Sequence, residues 1–169
     1  MAKVTRKGFF GWEDSLKVSG SFARASDYGD LVWTPGFTWI PGMCFKLDSV
    51  DPTYGILCDT MGEQIFGIVL DKPTELAQPP AAEKVTVLHG HSELEIDHTA
   101  ETNAGTVSAA YLAYEKASVE GGSPMELLYT NAAGKLSTTS SGSANRPAGF
   151  IMQVPAAANN YTLKFILFG

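Results

Sequence analysis

The densest run of side chains able to do chemistry is His89-Gly90-His91-Ser92-Glu93-Leu94-Glu95-Ile96-Asp97-His98, which holds all three histidines of the chain. On a strand, residues two apart share a face, so His89 and His91 would point the same way, as a pair of metal ligands must. His91 and Glu95 extend this to a His-x-His-then-Glu spacing. The frame around them does not fit a metal site. No glycine stands five residues before the pair, the later half has no matching histidine, and Gly90 interrupts the strand between the two rings. A polar strand edge and turn is the reading these residues favour, with no metal and no cofactor expected.

Other catalytic patterns fail in similar ways. Gly134-Lys135 lacks the Ser/Thr of a phosphate loop, since Leu136 follows, and Tyr129 stands where the loop's first glycine belongs. No Gly-x-Ser-x-Gly elbow exists. Asp48, Asp51, Asp59 and Asp71 fall on turns, where aspartate caps backbone groups, rather than forming a paired acid and base. Cys44 and Cys58 flank a turn at Asp51–Gly55 and could face each other across a hairpin. The polar start carries no signal sequence, and no apolar run reaches bilayer length. Synthesis in a reducing cytoplasm, with two buried free thiols, is therefore expected. Trp33 and Trp39 read as core or interface rings, or as stacking platforms for sugars. The chain is expected not to be an enzyme.

The elements that must carry these residues are strands. A phrase recurs: Phe66-Gly67-Ile68-Val69-Leu70-Asp71-Lys72-Pro73 and Ala148-Gly149-Phe150-Ile151-Met152-Gln153-Val154-Pro155. Glycine lets the chain enter a strand through a tight approach, three apolar residues bury it, and proline ends it. Each phrase is preceded by a Pro–Met start, at Pro41-Gly42-Met43 and Pro124-Met125, and followed by a β-rich run, at 84–88 and 161–167. Short strands punctuated by Gly and Pro predict a mainly β chain: an antiparallel barrel or sandwich with an internally duplicated strand unit. At most one short helix is expected, over two or three turns within Val107–Val119 and stopped by Gly121-Gly122, with a strand as the alternative for this stretch. Residues 1–30 read as an extended arm and 31–169 as one domain of two similar units, about 31–98 and 107–169. Ser137–Asn145 reads as an exposed loop. In the last strand, Leu163, Phe165 and Leu167 alternate toward a core, leaving Ile166 and Phe168 for an intersubunit surface.

With 44% apolar residues the 169-residue chain can bury a core, which excludes wholesale disorder. A net charge of −6 argues against a nucleic-acid surface. That charge is uneven. Residues 1–24 carry five basic residues against two acidic ones, a net +3, and the rest carries seven against sixteen, a net −9. A basic stretch with the rings Phe9, Phe10 and Trp12 suits an arm that docks on an acidic neighbour.

Several stretches resemble small β-rich virion proteins of tailed bacteriophages, above all capsid decoration (head-stabilising, or cement) proteins. They are Trp39-Ile40-Pro41-Gly42-Met43, the Ile65–Leu70 phrase, and Leu127, Tyr129, Thr130 and Asn131 followed by Gly134-Lys135-Leu136-Ser137-Thr138-Thr139. The resemblance implies a barrel-rich protein, often trimeric, that is made in the host cytoplasm. It would bind the major capsid protein on the capsid exterior and brace the shell, touching neither nucleic acid nor membrane. Contacts to capsid or sister subunits are expected from Lys3, Arg6, Lys7, Phe9, Phe10, Trp12, Ile166 and Phe168. The alternatives are a carbohydrate- or host-surface-binding β-sandwich of a tail or head fibre, using Trp33, Trp39 and the 137–145 loop, and a cupin-like metalloenzyme using His89, His91 and His98.

Overall fold

The computed structural model describes residues 3–6, 18–19, 41–47, 55–69, 84–85, 87–98, 112–140 and 145–168, with Ser49 and Gly142. These residues form a mainly β body of antiparallel sheets, and the larger sheets do not close into a barrel. The strands are β1 (Lys3–Arg6), β2 (Val18–Ser19), β3 (Cys44–Leu47), β4 (Gly55–Leu57), β5 (Gly67–Val69), β6 (Lys84–Val85), β7 (Val87–His89), β8 (Ser92–Asp97), β9 (Leu127–Thr130), β10 (Leu136–Ser137), β11 (Gly149–Gln153) and β12 (Leu163–Leu167). A six-stranded sheet runs β1-β8-β12-β11-β9-β10, a four-stranded sheet runs β4-β3-β5-β7, and β2 pairs with β6.

The recurring phrase marks a duplicated unit. The orders β4-β3-β5-β7 and β10-β9-β11-β12 are the same arrangement built twice. Gly67 lies between Phe45 and His89 in the ladder, and Gly149 lies between Leu128 and Leu167. The backbone bonds repeat with them. Phe66 N–H donates to Phe45 O and Ala148 N–H to Leu128 O, while Val69 N–H donates to Met43 O and Ile151 N–H to Glu126 O. At the start of each unit, Gly42 N–H donates to Val69 O and Met125 N–H to Ile151 O. Both phrase glycines serve one physical need. A β-carbon on Gly67 would overlap the Leu88 carbonyl oxygen, and one on Gly149 would overlap that of Ile166.

One core joins the two units. Phe45, Ile68 and Leu88 from the first meet Leu94, Ile96, Leu128, Ile151 and Phe165 in the same buried cluster. Backbone bonds lock the junction: Cys44 N–H to Gly134 O, Gly62 N–H to Thr130 O, and Arg146 N–H to Gly62 O. Thr130 Oγ1–H also donates to Thr60 O, at 3.0 Å. At Gly90, whose φ of +81° suits glycine, the chain leaves β7. The strand β8 that follows pairs not with the first unit but with β12 of the second.

The ambiguous stretch before Gly121 is extended in one part and helical in the next. Tyr114 makes a parallel bridge to Leu136, with Glu115 N–H donating to Leu136 O and Leu136 N–H to Ala113 O. Residues 113–115 thus cover the edge of β10, and among the described residues of this stretch Lys116–Glu120 (α1) is the helical part. Pairing with an otherwise open edge outweighs the helix propensity of Ala113 and Glu115. Ser137 is also not exposed. It is fully buried, and its Oγ–H donates to Glu115 Oε2 at 2.5 Å.

Candidate functional site

The alternation of β8 and β12 gives the six-stranded sheet two unlike faces. Ser92, Leu94, Ile96, Leu163, Phe165 and Leu167 are buried, and the residues between them face outward. Register then builds rows across the outer face. Leu127 lies opposite Phe150, Phe150 opposite Ile166, and Ile166 opposite Glu93. The next row sets Gln153, Lys164, Glu95 and Thr5 side by side. The face is therefore apolar over β9, β11 and β12 and acidic along β8, where Lys164 Nζ sits 3.4 Å from Glu95 Oε2. Phe168 extends the apolar part, its ring 5.8 Å from that of Phe150 and 6.0 Å from the His91 imidazole.

Two backbone irregularities enlarge this patch. Met125 has φ +70°, a left-handed conformation disfavoured for any residue with a β-carbon, and its side chain is 70% exposed. The matching position in the first unit is Gly42, with φ +99°. Across the bond from Met125 N–H to Ile151 O, the ladder of β11 and β12 shifts register between Ile151 and Gln153. This bulge leaves Met152 44% exposed, and Leu127 beside it is 41% exposed. The first unit shows what such a face does when covered. Cys44, Ile68 and Leu88, the counterparts of Leu127, Phe150 and Ile166, are all buried. The second copy of the unit thus leaves open a face that the first copy packs away.

Of the residues singled out in the sequence, Ile166 and Phe168 lie together on this outer face, both half-buried. Lys3 and Arg6 belong to β1, the edge strand beside β8, at register positions opposite Asp97 and Leu94. Lys7, Phe9, Phe10, Trp12, Trp33 and Trp39 lie outside the described residues. Met125, Leu127, Phe150 and Met152 were not among the expected contact residues. The one signal for them was methionine in the Pro124-Met125 start, where its twin has glycine.

The histidines do not converge. His89 ends β7 and stacks on Phe66 with centroids 5.0 Å apart, while His91 lies beyond Gly90 near Phe168. His98 is buried, with Nδ1 3.0 Å from Tyr161 O and Nε2 3.3 Å from Ala113 N. A carbonyl accepts only, so Nδ1 carries the proton and Nε2 accepts from Ala113. This neutral ring ties β8 to two loops. Among the described residues no group of three or more His, Cys, Asp or Glu is placed to hold one metal ion.

Two polar clusters have structural work that accounts for them. Lys46 Nζ reaches Asp59 Oδ1 at 2.7 Å and Glu63 Oε2 at 2.6 Å, beside a surface pocket of about 410 Å³ lined also by Leu47, Gln64, Ile65 and Phe66. Glu63 Oε1 takes the backbone N–H groups of Asp59 and Thr60, closing the tight turn, and Arg146 donates to Gln64 from the second unit. Lys46's hydrogen bond holds the Asp59 carboxyl below its usual range. Burial pulls the Lys46 ammonium down, but the bonds and charges of Asp59 and Glu63 outweigh it and raise it. Behind this cluster Cys58 N–H donates to Cys44 O, so the two thiols stand opposite each other, free and buried. Burial, with Glu63's charge added, pushes the Cys44 thiol up to about 12, and burial raises Cys58 further. Both are inert at neutral pH. The second cluster joins Glu115, Ser118 and Ser137, with Ser118 Oγ and Ser137 Oγ 3.1 Å apart, and pins α1 to β10.

No known protein family matches this chain, and no significant similarity was found among curated proteins or solved structures.

Proposed function

We propose that this chain is a non-catalytic structural virion protein that binds the outside of a phage capsid as a homotrimer and stabilises the shell. The observation that carries the reading is the open apolar face of the six-stranded sheet. Contiguous apolar surface of this kind on a soluble β body marks a place where another protein packs. A strained Met125 and a bulged Met152 enlarge that surface at a cost in backbone energy. The resemblance of the Leu127–Thr139 stretch to phage head proteins supplies the class of partner, the major capsid protein. Such a protein gains avidity from many copies at symmetric sites and needs contact area rather than a catalytic centre. Lys3, Arg6, Lys7, Phe9, Phe10, Trp12, Ile166 and Phe168 are the contact residues of this reading.

The test is co-sedimentation of the purified chain with empty, expanded capsids assembled from the major capsid protein of the phage that carries it. Saturable binding at a fixed ratio to the capsid subunit, with a higher temperature of shell rupture, is expected. Absence of saturable binding to expanded capsids overturns the proposal. Truncating residues 2–24 is a poor probe, because it removes edge strand β1 from the sheet.

A further inference from the structure

We propose that Cys44 and Cys58 form a disulfide site: the pair closes into a bond when the chain folds under oxidising conditions, and the folded body then keeps whichever redox state it folded in. The register carries this. Phe45 lies opposite Leu57 in the ladder of β3 and β4, and one step further on Cys58 N–H donates to Cys44 O at 3.1 Å. Residues directly opposite on antiparallel strands point to the same face, with α-carbons about 5.5 Å apart where a backbone bond joins them. That lies inside the range of about 4.4–6.8 Å that a disulfide spans. Both side chains are buried in the shared core, and they are the only cysteines of the chain. Neither has a different partner within its own copy.

Closure needs a small movement, and the fold permits it. The β-carbons of opposed residues lie about 4.5–5.5 Å apart, and a disulfide draws them to about 3.5–4.5 Å. Among the described residues β4 is an edge strand paired only with β3, so it can close this gap without displacing another strand of its sheet. Cys44 is the fixed partner, since its N–H donates to Gly134 O of the second unit. No charge is stranded by the change. The Cys58 thiol lies within hydrogen-bonding reach of the Glu63 carboxylate. When that hydrogen is gone, Glu63 keeps Lys46 and the N–H groups of Asp59 and Thr60. Nor does the backbone of the unit demand cysteine, because its second copy has Leu127 at the place of Cys44.

The bond forms by exchange with a small disulfide such as oxidised glutathione. One cysteine thiolate attacks a glutathione sulfur and releases one glutathione. The other cysteine then attacks the protein-bound sulfur and releases the second. Two protein thiols lose two electrons and two protons, and one glutathione disulfide becomes two glutathione thiols. In the folded chain neither sulfur is open to a reagent, and burial raises both thiols, so little thiolate exists to attack. Exchange is thereby confined to folding, or to opening of the β3–β4 hairpin. Once closed, the bond fastens edge strand β4 through Cys44 to the second unit, and the same burial shields it from reductants.

The test unfolds the full chain in urea and refolds it with either oxidised glutathione or a phosphine reductant. Small molecules are then removed, free thiols are capped with iodoacetamide in urea, and the intact chain is weighed. The oxidised arm is expected to give a single-chain mass with no caps and two hydrogens fewer, and the reduced arm to take a cap on each cysteine. A bond that closes a loop of about 15 residues should raise the thermal transition of the oxidised form by about 5–10 °C over the reduced form. Native reduced chain held with the same oxidant should keep both thiols. An oxidised form that melts at or below the reduced one, or does not regain a native transition, overturns the site. So does a product that retains glutathione or links two chains. Rapid oxidation of the native reduced chain overturns the claim that the folded body keeps its redox state.

Discussion

Replacing either phrase glycine by alanine tests the duplicated architecture most directly. Alanine in a strand is ordinarily better than glycine by roughly 0.5–1 kcal/mol, because glycine gives up more conformational freedom on folding. Here the sign should reverse. A β-carbon at Gly149 would overlap the Ile166 carbonyl oxygen and come to 3.0 Å from its carbon, and one at Gly67 would overlap the Leu88 oxygen and come to 2.9 Å from its carbon. These are backbone atoms of the next strand, so no side chain can rotate aside. Relieving the overlap means moving β11 from β12, or β5 from β7, by about an ångström, which stretches a ladder bond from about 2.9 Å beyond hydrogen-bonding range. Overpacking of about 1–3 kcal/mol, plus about 1 kcal/mol for each weakened bond, outweighs the propensity gain. Each variant should lose about 2–4 kcal/mol, lowering Tm by about 5–15 °C for a chain of this size. Gly121→Ala is the control: its φ is −87° and the nearest atom to a new β-carbon is Ala117 O at 3.2 Å, so its effect should stay within about 1 kcal/mol. Urea and thermal unfolding of all three variants decide the matter. A neutral or stabilising Gly67→Ala or Gly149→Ala would refute the close strand approach, and a large effect at only one of them would refute the equivalence of the units.

The remaining predictions concern the junction behind the first unit. Asp59 is held below the usual carboxylate range by Lys46, so its contribution is present above about pH 4 and lost as pH falls through its depressed value. Urea midpoints between pH 3 and 5 should therefore fall more steeply for the wild type than for Asp59→Asn. The difference should be at most about 1 kcal/mol, because the ion pair is a quarter to a third exposed; identical slopes would refute the coupling. Cys44 and Cys58 should not react with a thiol reagent at pH 8 in the folded protein and should both titrate after unfolding. Rapid labelling of the native chain would contradict their burial.

Much of the β framework was legible because it is written in local patterns. Leu163, Phe165 and Leu167 alternate with Lys164, Ile166 and Phe168, and the strand buries the first set as a period of two requires. The same holds for Leu94 and Ile96 against Glu93, Glu95 and Asp97. The facing of Cys44 and Cys58 followed from turn residues and spacing. The stretch before the helix stayed open between helix and strand because Ala113-Tyr114-Glu115 has helical propensity, and only the neighbouring β10 edge, distant in sequence, makes it extended. Ser137 looked like the start of an exposed loop for a related reason. Its burial depends on Glu115, 22 residues away, which accepts its hydroxyl.

The sequence alone determined that strands would form, that a unit was used twice, and that glycine at 67 and 149 was its fixed point. Each of these rests on local conformational limits that a residue carries wherever it sits. Tertiary structure decided how the copies differ. It passed β8 from the first unit to the sheet of the second, buried the face of Cys44, Ile68 and Leu88, and left the matching face of Leu127, Phe150 and Ile166 open. No local pattern separates those two faces, since both are apolar in sequence. Only the packing of one unit against the other determines which is core and which is surface.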